Sequence, residues 1–173
     1  LAPGPEGGVF AAIHPGYYSD IRSGVRRFSA SGRQIWSRSF SQDAEVSLGD
    51  IASDASGLYL TFREPPELIG GEVHHALRKY RNDGSVAWTV RWTGHPLFVN
   101  PDARGYPAVA VQGGTVYVFY DPVWDGARAI ARFDTDDGVR AADWPVPVPT
   151  AYPAYDWLTS DVAATNDGVY TMT

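Results

Sequence analysis

The residues in this chain whose types could do chemistry are first of all carboxylates gathered in short stretches. Glu64, Glu67 and Glu72 share one segment, and Asp121 and Asp125 share another. Two carboxyl groups flanking a glycosidic bond can supply the acid and the base for its hydrolysis. Spacing within a loop sets no distance between them, so the pattern names a chemistry without a geometry. Aromatic residues gather in the same kind of stretch: Tyr17, Tyr18, Phe98, Tyr106, Trp124, Tyr152, Tyr155 and Trp157, with Asp20 and Asp156 among them and His14, His74 and His95 in or beside them. Aromatic rings stack on the C–H faces of sugars while neighbouring polar groups hydrogen-bond the hydroxyls. The ligand-binding set read from this pattern is Tyr17, Tyr18, His95, Tyr106, Trp124, Asp125, Tyr155 and Trp157. The competing reading has several of these rings packing Pro-rich loops onto the scaffold.

Three narrower signals point away from chemistry. Asp134-Thr135-Asp136-Asp137-Gly138 looks like the start of a calcium loop, but its acids fall at positions 1, 3 and 4 instead of 1, 3 and 5, and no Glu closes it. A solvated turn is the favoured reading, and no metal is expected. His74 and His75 are adjacent, so a strand sends them to opposite faces and one site cannot readily use both. Trp36, Trp88 and Trp144 recur at equivalent places in a repeat, which favours packing between successive units over a ligand track. No G-x-S-x-G nucleophile motif or Gly-rich phosphate loop is present, and with no Cys in the chain a thiolate nucleophile or metal site is excluded. Catalysis has no specific support, and no cofactor is expected.

The elements that must carry these residues follow from internal repetition. A basic-aromatic pair, a turn Gly and a Trp recur as VRRFSASGRQIW from Val25, LRKYRNDGSVAW from Leu77 and IARFDTDDGVRAADW from Ile130, placing Gly32, Gly84 and Gly138 at spacings of 52 and 54 residues. A second landmark, a Gly opening an alternating apolar strand, recurs at Gly8, Gly57, Gly114 and Gly168, spaced 49, 57 and 54 residues apart. A third precedes it: DIASDASG from Asp50, PAVAVQGG from Pro107 and DVAATNDG from Asp161. Each unit reads as four short strands, A to D. Strand A is rich in small residues (Ile51, Ala52; Val109, Ala110, Val111; Val162, Ala163), as expected where strands converge on a narrow axis. Asn-Asp-Gly and Ala-Ser-Gly supply the positive-φ positions of tight hairpins. Helical periodicity is nowhere convincing.

The unit resembles the SBBP-type β-propeller repeat, with its order D-x-A-x-D-x-x-G, then Y-V, then K-[LY], then W or Y. DIASDASGLYLTF followed by ALRKYRNDGSVAWTVRW is the nearest copy, while the third unit has Pro107 in place of the first Asp and a longer C–D turn. The G-x-x-x-W ending is also similar to blades of pyrroloquinoline-quinone dehydrogenases, where a Trp docks neighbouring blades. The fold class expected is all-β, a β-propeller of four-stranded antiparallel blades. In this register 1–48 is a blade lacking its first strand, 49–105 and 106–159 are full blades, and 160–173 holds the first two strands of a fourth. About thirteen strands do not close a ring of four to eight four-stranded blades, so the ring is expected to be completed by further blades in the same chain or by another chain.

Alternation of strand direction puts all A–B and C–D turns on one edge and all B–C and D–A connections on the other. The short Gly turns belong to the first edge. The long, aromatic and acidic segments belong to the second, where loops on a rigid scaffold carry function. The composition of the 173 residues, 44% hydrophobic and 20% charged with 18 Gly and 13 Pro, is that of a globular chain with many turns. A net charge of −6, with Arg26-Arg27 and Arg78-Lys79 as the locally basic pairs, argues against a nucleic acid or an anionic membrane surface as partner, since both demand clustered cations. No apolar run reaches the ~20 residues of a membrane span, and Leu1–Pro5 has no signal-peptide character. The expected function is a non-catalytic binding or scaffold module recognising carbohydrate or a protein partner. The SBBP resemblance implies a secreted or cell-surface location. The alternative is an enzyme propeller, either a glycan hydrolase or lyase or a quinone-dependent dehydrogenase.

Overall fold

The computed structural model describes residues 1–13, 23–40, 47–64, 74–93, 107–120, 128–144, 146–148 and 161–172. Fourteen strands and one short 3-10 turn (Pro5–Gly7) occupy them, with no α-helix among the described residues. β1 (Ala2–Pro3), β2 (Val9–Ile13), β3 (Gly24–Phe28) and β4 (Gln34–Ser39) form sheet I in that order. β5 (Ser47–Asp54), β6 (Gly57–Glu64), β7 (His74–Arg81) and β8 (Val86–Thr93) form sheet II. β9 (Ala108–Gln112), β10 (Thr115–Tyr120), β11 (Arg128–Asp134) and β12 (Val146–Val148) form sheet III, and β13 (Asp161–Thr165) pairs with β14 (Gly168–Met172) in sheet IV. Every pairing is antiparallel between consecutive strands. The protein is therefore all-β, built of sequential four-stranded antiparallel meanders.

Two details differ from the sequence reading. Sheet I, expected to open at its second strand, has the two-residue β1 in the first position, paired as Ala2↔Phe10 and Pro3↔Val9. In sheet III the longer turn after Asp134 leaves Trp144 ahead of β12 instead of inside the fourth strand, and β12 pairs with Arg128–Ile130.

The sheets stack face to face through their first strands, with β1 beside β5, β5 beside β9 and β9 beside β13. Three apolar clusters fill the gaps. Phe10, Val25, Trp36, Leu58, Leu60, Phe62 and Tyr80 pack between sheets I and II. Tyr59, Leu77, Val109, Val116, Val118 and Phe133 pack between sheets II and III. Ala108, Ala110, Phe119, Ile130 and Val162 pack between sheets III and IV. The apolar residues on both faces of β6, Leu58, Tyr59, Leu60 and Phe62, have this cause. A strand covered on one face alternates, whereas one covered on both need not, and Leu58, Leu60 and Phe62 face sheet I while Tyr59 faces sheet III.

Candidate functional site

Strand order places two kinds of connection on opposite edges. On one edge, β5 and β6 are joined by Ala55-Ser56, β9 and β10 by Gly113-Gly114, and β13 and β14 by Asn166-Asp167. The β3–β4 and β7–β8 turns lie on the same edge and span residues 29–33 and 82–85. The opposite edge receives the connections 14–23, 40–46, 65–73, 94–107, 121–127 and 149–160. Side chains build the short turns. Asp54 Oδ1 accepts hydrogen bonds from the Ser56 and Gly57 amides, at 2.7 and 3.1 Å. Asp83 Oδ1 accepts the Ser85 amide and hydroxyl, at 2.8 and 2.7 Å, and these bonds hold its carboxyl below the usual carboxylate range. In the third unit Asp134 caps the Asp136 amide and Asp137 caps the Val139 amide, so these carboxylates serve their own turn.

All eight residues of the ligand-binding set, Tyr17, Tyr18, His95, Tyr106, Trp124, Asp125, Tyr155 and Trp157, lie outside the described residues. So do Phe98, Tyr152, Glu67, Glu72, Asp121 and His14. What is described is the rim from which these segments spring, best defined on sheet II. There Glu64, at the end of β6, makes a two-pronged ion pair with Arg91 on β8, at 2.8 and 3.0 Å across β7. Glu64 is thus spoken for electrostatically, and the pair raises the Arg91 pKa. His74 and His75 point to opposite faces of β7, as two successive strand residues must. His75 is buried, and its ring stacks on Trp92 at 6.1 Å between centroids. Burial, helped by the positive charges of Arg63 and His74, lowers the His75 pKa to about 4. Beside this stack Val90, Arg91, Trp92, Ala131, Phe133 and Arg140 line a cleft of about 240 Å³ between sheets II and III. That is smaller than the ~300–1,000 Å³ of ordinary ligand pockets.

The sequence matches no protein-family model, and no curated protein matches it.

The recurring cations and Trp residues form the best-defined polar constellation in the molecule, and it is structural. The Trp36 indole N–H and the Arg27 guanidinium both donate to the Asn82 carbonyl in the next sheet, at 2.9 and 2.7 Å. One sheet further on, the Trp88 indole N–H and the Lys79 ammonium both donate to the Thr135 carbonyl, at 3.1 and 2.8 Å. Each indole lies against the turn Gly beside that carbonyl. A Cβ on Gly84 would sit 2.8 Å from Trp36, and one on Gly138 would sit 2.8 Å from Trp88. Arg78 stacks its guanidinium over Phe62 at 4.9 Å. One cation of each basic pair, Arg27 and Lys79, is therefore engaged in a contact between sheets.

A second latch between sheets escaped the sequence reading. Asp50 Oδ2 accepts the Val109 amide at 3.0 Å, while the buried Thr61 hydroxyl accepts the Asp50 amide at 2.9 Å and donates to the Pro107 carbonyl. A bulge between Leu48 and Ile51 makes room for it, and Gly49 is small because a Cβ there would meet Thr61 Oγ1 at 2.6 Å. The recurring first Asp of the unit was a visible signal. Its partner, a backbone amide 59 residues away, was not. Tyr59, buried with its hydroxyl donating to Asp54 Oδ2 at 3.1 Å, has its pKa pushed up by burial. Among the described residues no group of His, Asp or Glu is placed to hold a metal ion, and no helix is long and apolar enough to cross a membrane.

Proposed function

We propose that the chain is an arc of a β-propeller acting as a non-catalytic binding module, with its recognition surface on the edge that carries the long connections. The observation that carries this reading is the asymmetry of the two edges. The β11–β12 link (135–145) apart, the A–B and C–D links among the described residues are short turns, and the connections on the other edge are longer. A rigid stack of sheets with one elaborated edge is a scaffold for loop-borne recognition. Sequential meanders whose first strands adjoin one another support the propeller reading, in which the remaining blades come from the same chain or from another.

Carbohydrate is the favoured ligand class, because the long connections hold Tyr17, Tyr18, Tyr106, Trp124, Tyr155 and Trp157 together with Asp125 and His95. Resemblance to SBBP-type repeats supports a secreted or cell-surface setting. The test is a glycan array probed with the intact protein. Binding should be saturable, and Trp124→Ala and Trp157→Ala should each weaken it about tenfold, as loss of a stacked aromatic anchor does, with the urea midpoint unchanged. Absence of glycan binding, combined with turnover of a polysaccharide panel or quinone-dependent dye reduction, would overturn the proposal in favour of an enzyme.

A further inference from the structure

Sheets II and III meet much as sheets I and II do, with one exchange, and the cleft between them lies at that exchange. Cross-strand register aligns the two interfaces. Tyr80 pairs with Leu58 and Arg78 with Leu60, while Phe133 pairs with Val116 and Ala131 with Val118. Ala131 is therefore the counterpart of Arg78. Phe40 follows Trp36 at the same interval as Trp92 follows Trp88, which makes Trp92 the counterpart of Phe40. Between sheets I and II the Arg78 guanidinium lies over Phe62 and Phe40, at 4.9 and 5.6 Å, and its Nε donates to the Thr89 hydroxyl at 2.9 Å. Between sheets II and III a methyl group replaces that long side chain, and Ala131 lines the cleft of about 240 Å³ together with Val90, Arg91, Trp92, Phe133 and Arg140.

The lining decides what this space can take. Val90, Ala131 and the rings of Trp92 and Phe133, stacked at 6.1 Å between centroids, make it largely apolar. Trp92 is also held by its stack on the buried His75. The charged residues are both cations. Arg91 is paired with Glu64 at 2.8 Å, whereas Arg140 is exposed and makes no ion pair or side-chain hydrogen bond among the described residues. A neutral sugar would set its hydroxyls against mostly apolar walls, and a cationic ligand would be repelled by Arg140. An apolar ring bearing one negative charge suits both features, and the volume, below that of ordinary ligand pockets, suits a single ring. We propose that this cleft is a binding site for a one-ring carboxylate. The ring occupies the space that the Arg78 side chain fills in the preceding interface and packs against Trp92. The carboxylate accepts charge-assisted hydrogen bonds from the Arg140 guanidinium. The site is separate from the long-loop edge and does not rest on the glycan reading.

The test titrates phenylacetate into the intact chain by isothermal calorimetry. Saturable binding is expected, and phenylacetamide, which keeps the shape without the charge, should bind about tenfold more weakly, the scale of one charge-assisted hydrogen bond. Arg140→Gln should bring phenylacetate down to the level of the amide. Ala131→Arg, which places in the cleft the side chain found at the same point of the preceding interface, should abolish binding without lowering the urea midpoint. Should Ala131→Arg fail to fold, Arg140→Gln and the amide decide the matter alone. No saturable binding of phenylacetate, equal affinity for the amide, or binding that persists in folded Ala131→Arg would each overturn the assignment. Glycan binding should be the same in Ala131→Arg as in the unaltered chain, so failure of one proposal is distinguishable from failure of the other.

Discussion

Replacing Gly84 by Ala isolates how much the Trp-on-Gly contact contributes, because Gly32 provides an internal control. Both glycines close equivalent turns at nearly the same backbone angle, φ +81° and +78°. An L-residue there costs about 1–2 kcal/mol in either place. The surroundings differ. A Cβ on Gly32 meets nothing within 4 Å, whereas one on Gly84 lies 2.8, 3.0 and 3.1 Å from three ring atoms of Trp36. Trp36 is only 8% exposed and packs at 5.9 Å from Phe10 and 6.1 Å from Tyr80, so the ring cannot retreat freely. Overpacking of this kind costs about 1–3 kcal/mol, and weakening the indole bond to the Asn82 carbonyl adds about 1 kcal/mol. Gly84→Ala should therefore be less stable than Gly32→Ala by about 2–4 kcal/mol. Urea unfolding followed by Trp fluorescence reads the difference. At a slope of about 2–3 kcal/mol per molar, the Gly84→Ala midpoint should fall about 1 M below that of Gly32→Ala. Equal midpoints for the two variants would refute the idea that indole seating couples sheets I and II.

Three further outcomes follow from the same contacts. His75 binds its proton near pH 4 when folded but near the ordinary imidazole value of 6.5 when unfolded. Its contribution is therefore complete above pH 6.5 and is lost as pH falls toward 4, amounting to about 3 kcal/mol at 1.36 kcal/mol per pH unit; a urea-midpoint series from pH 7 to 4 should show the decline, and His75→Leu should flatten it. Thr61→Val keeps the shape but strands the Asp50 amide and the Pro107 carbonyl, so it should cost about 2–4 kcal/mol, while Thr61→Ser, which keeps the hydroxyl, should cost clearly less in the same titration. Glu64→Gln breaks only a partly exposed ion pair with Arg91, whose side chain is 50% exposed, and should shift stability by less than about 1 kcal/mol; a larger loss would mean that the pair organises the rim.

Local chemistry made much of the scaffold legible. Residues such as Gly84 beside Asn82-Asp83 declare a hairpin because few other residues accept that backbone angle. The apolar segment Leu58–Phe62 after Gly57 declares a strand, and only the structure shows it covered on both faces. Recurrence of the Trp, Gly and basic landmarks declared that the same unit was being repeated. The candidate site was less legible. A turn needs a few adjacent residues, but a ligand face needs side chains from separate loops at set distances, and no spacing within one loop encodes those distances.

By itself, then, the sequence determined the all-β class, the strand order within each unit and, the long β11–β12 link apart, the sorting of long and short connections onto opposite edges. These follow from periodicity and turn chemistry acting over a few residues. Only the tertiary structure decided what the recurring polar residues are for. Arg27, Lys79 and Asp50 end on backbone groups of the next sheet, about fifty residues further along the chain. Those partners are peptide carbonyls and amides, which every residue possesses and no side-chain pattern advertises, so it took the stacking of the sheets to select them.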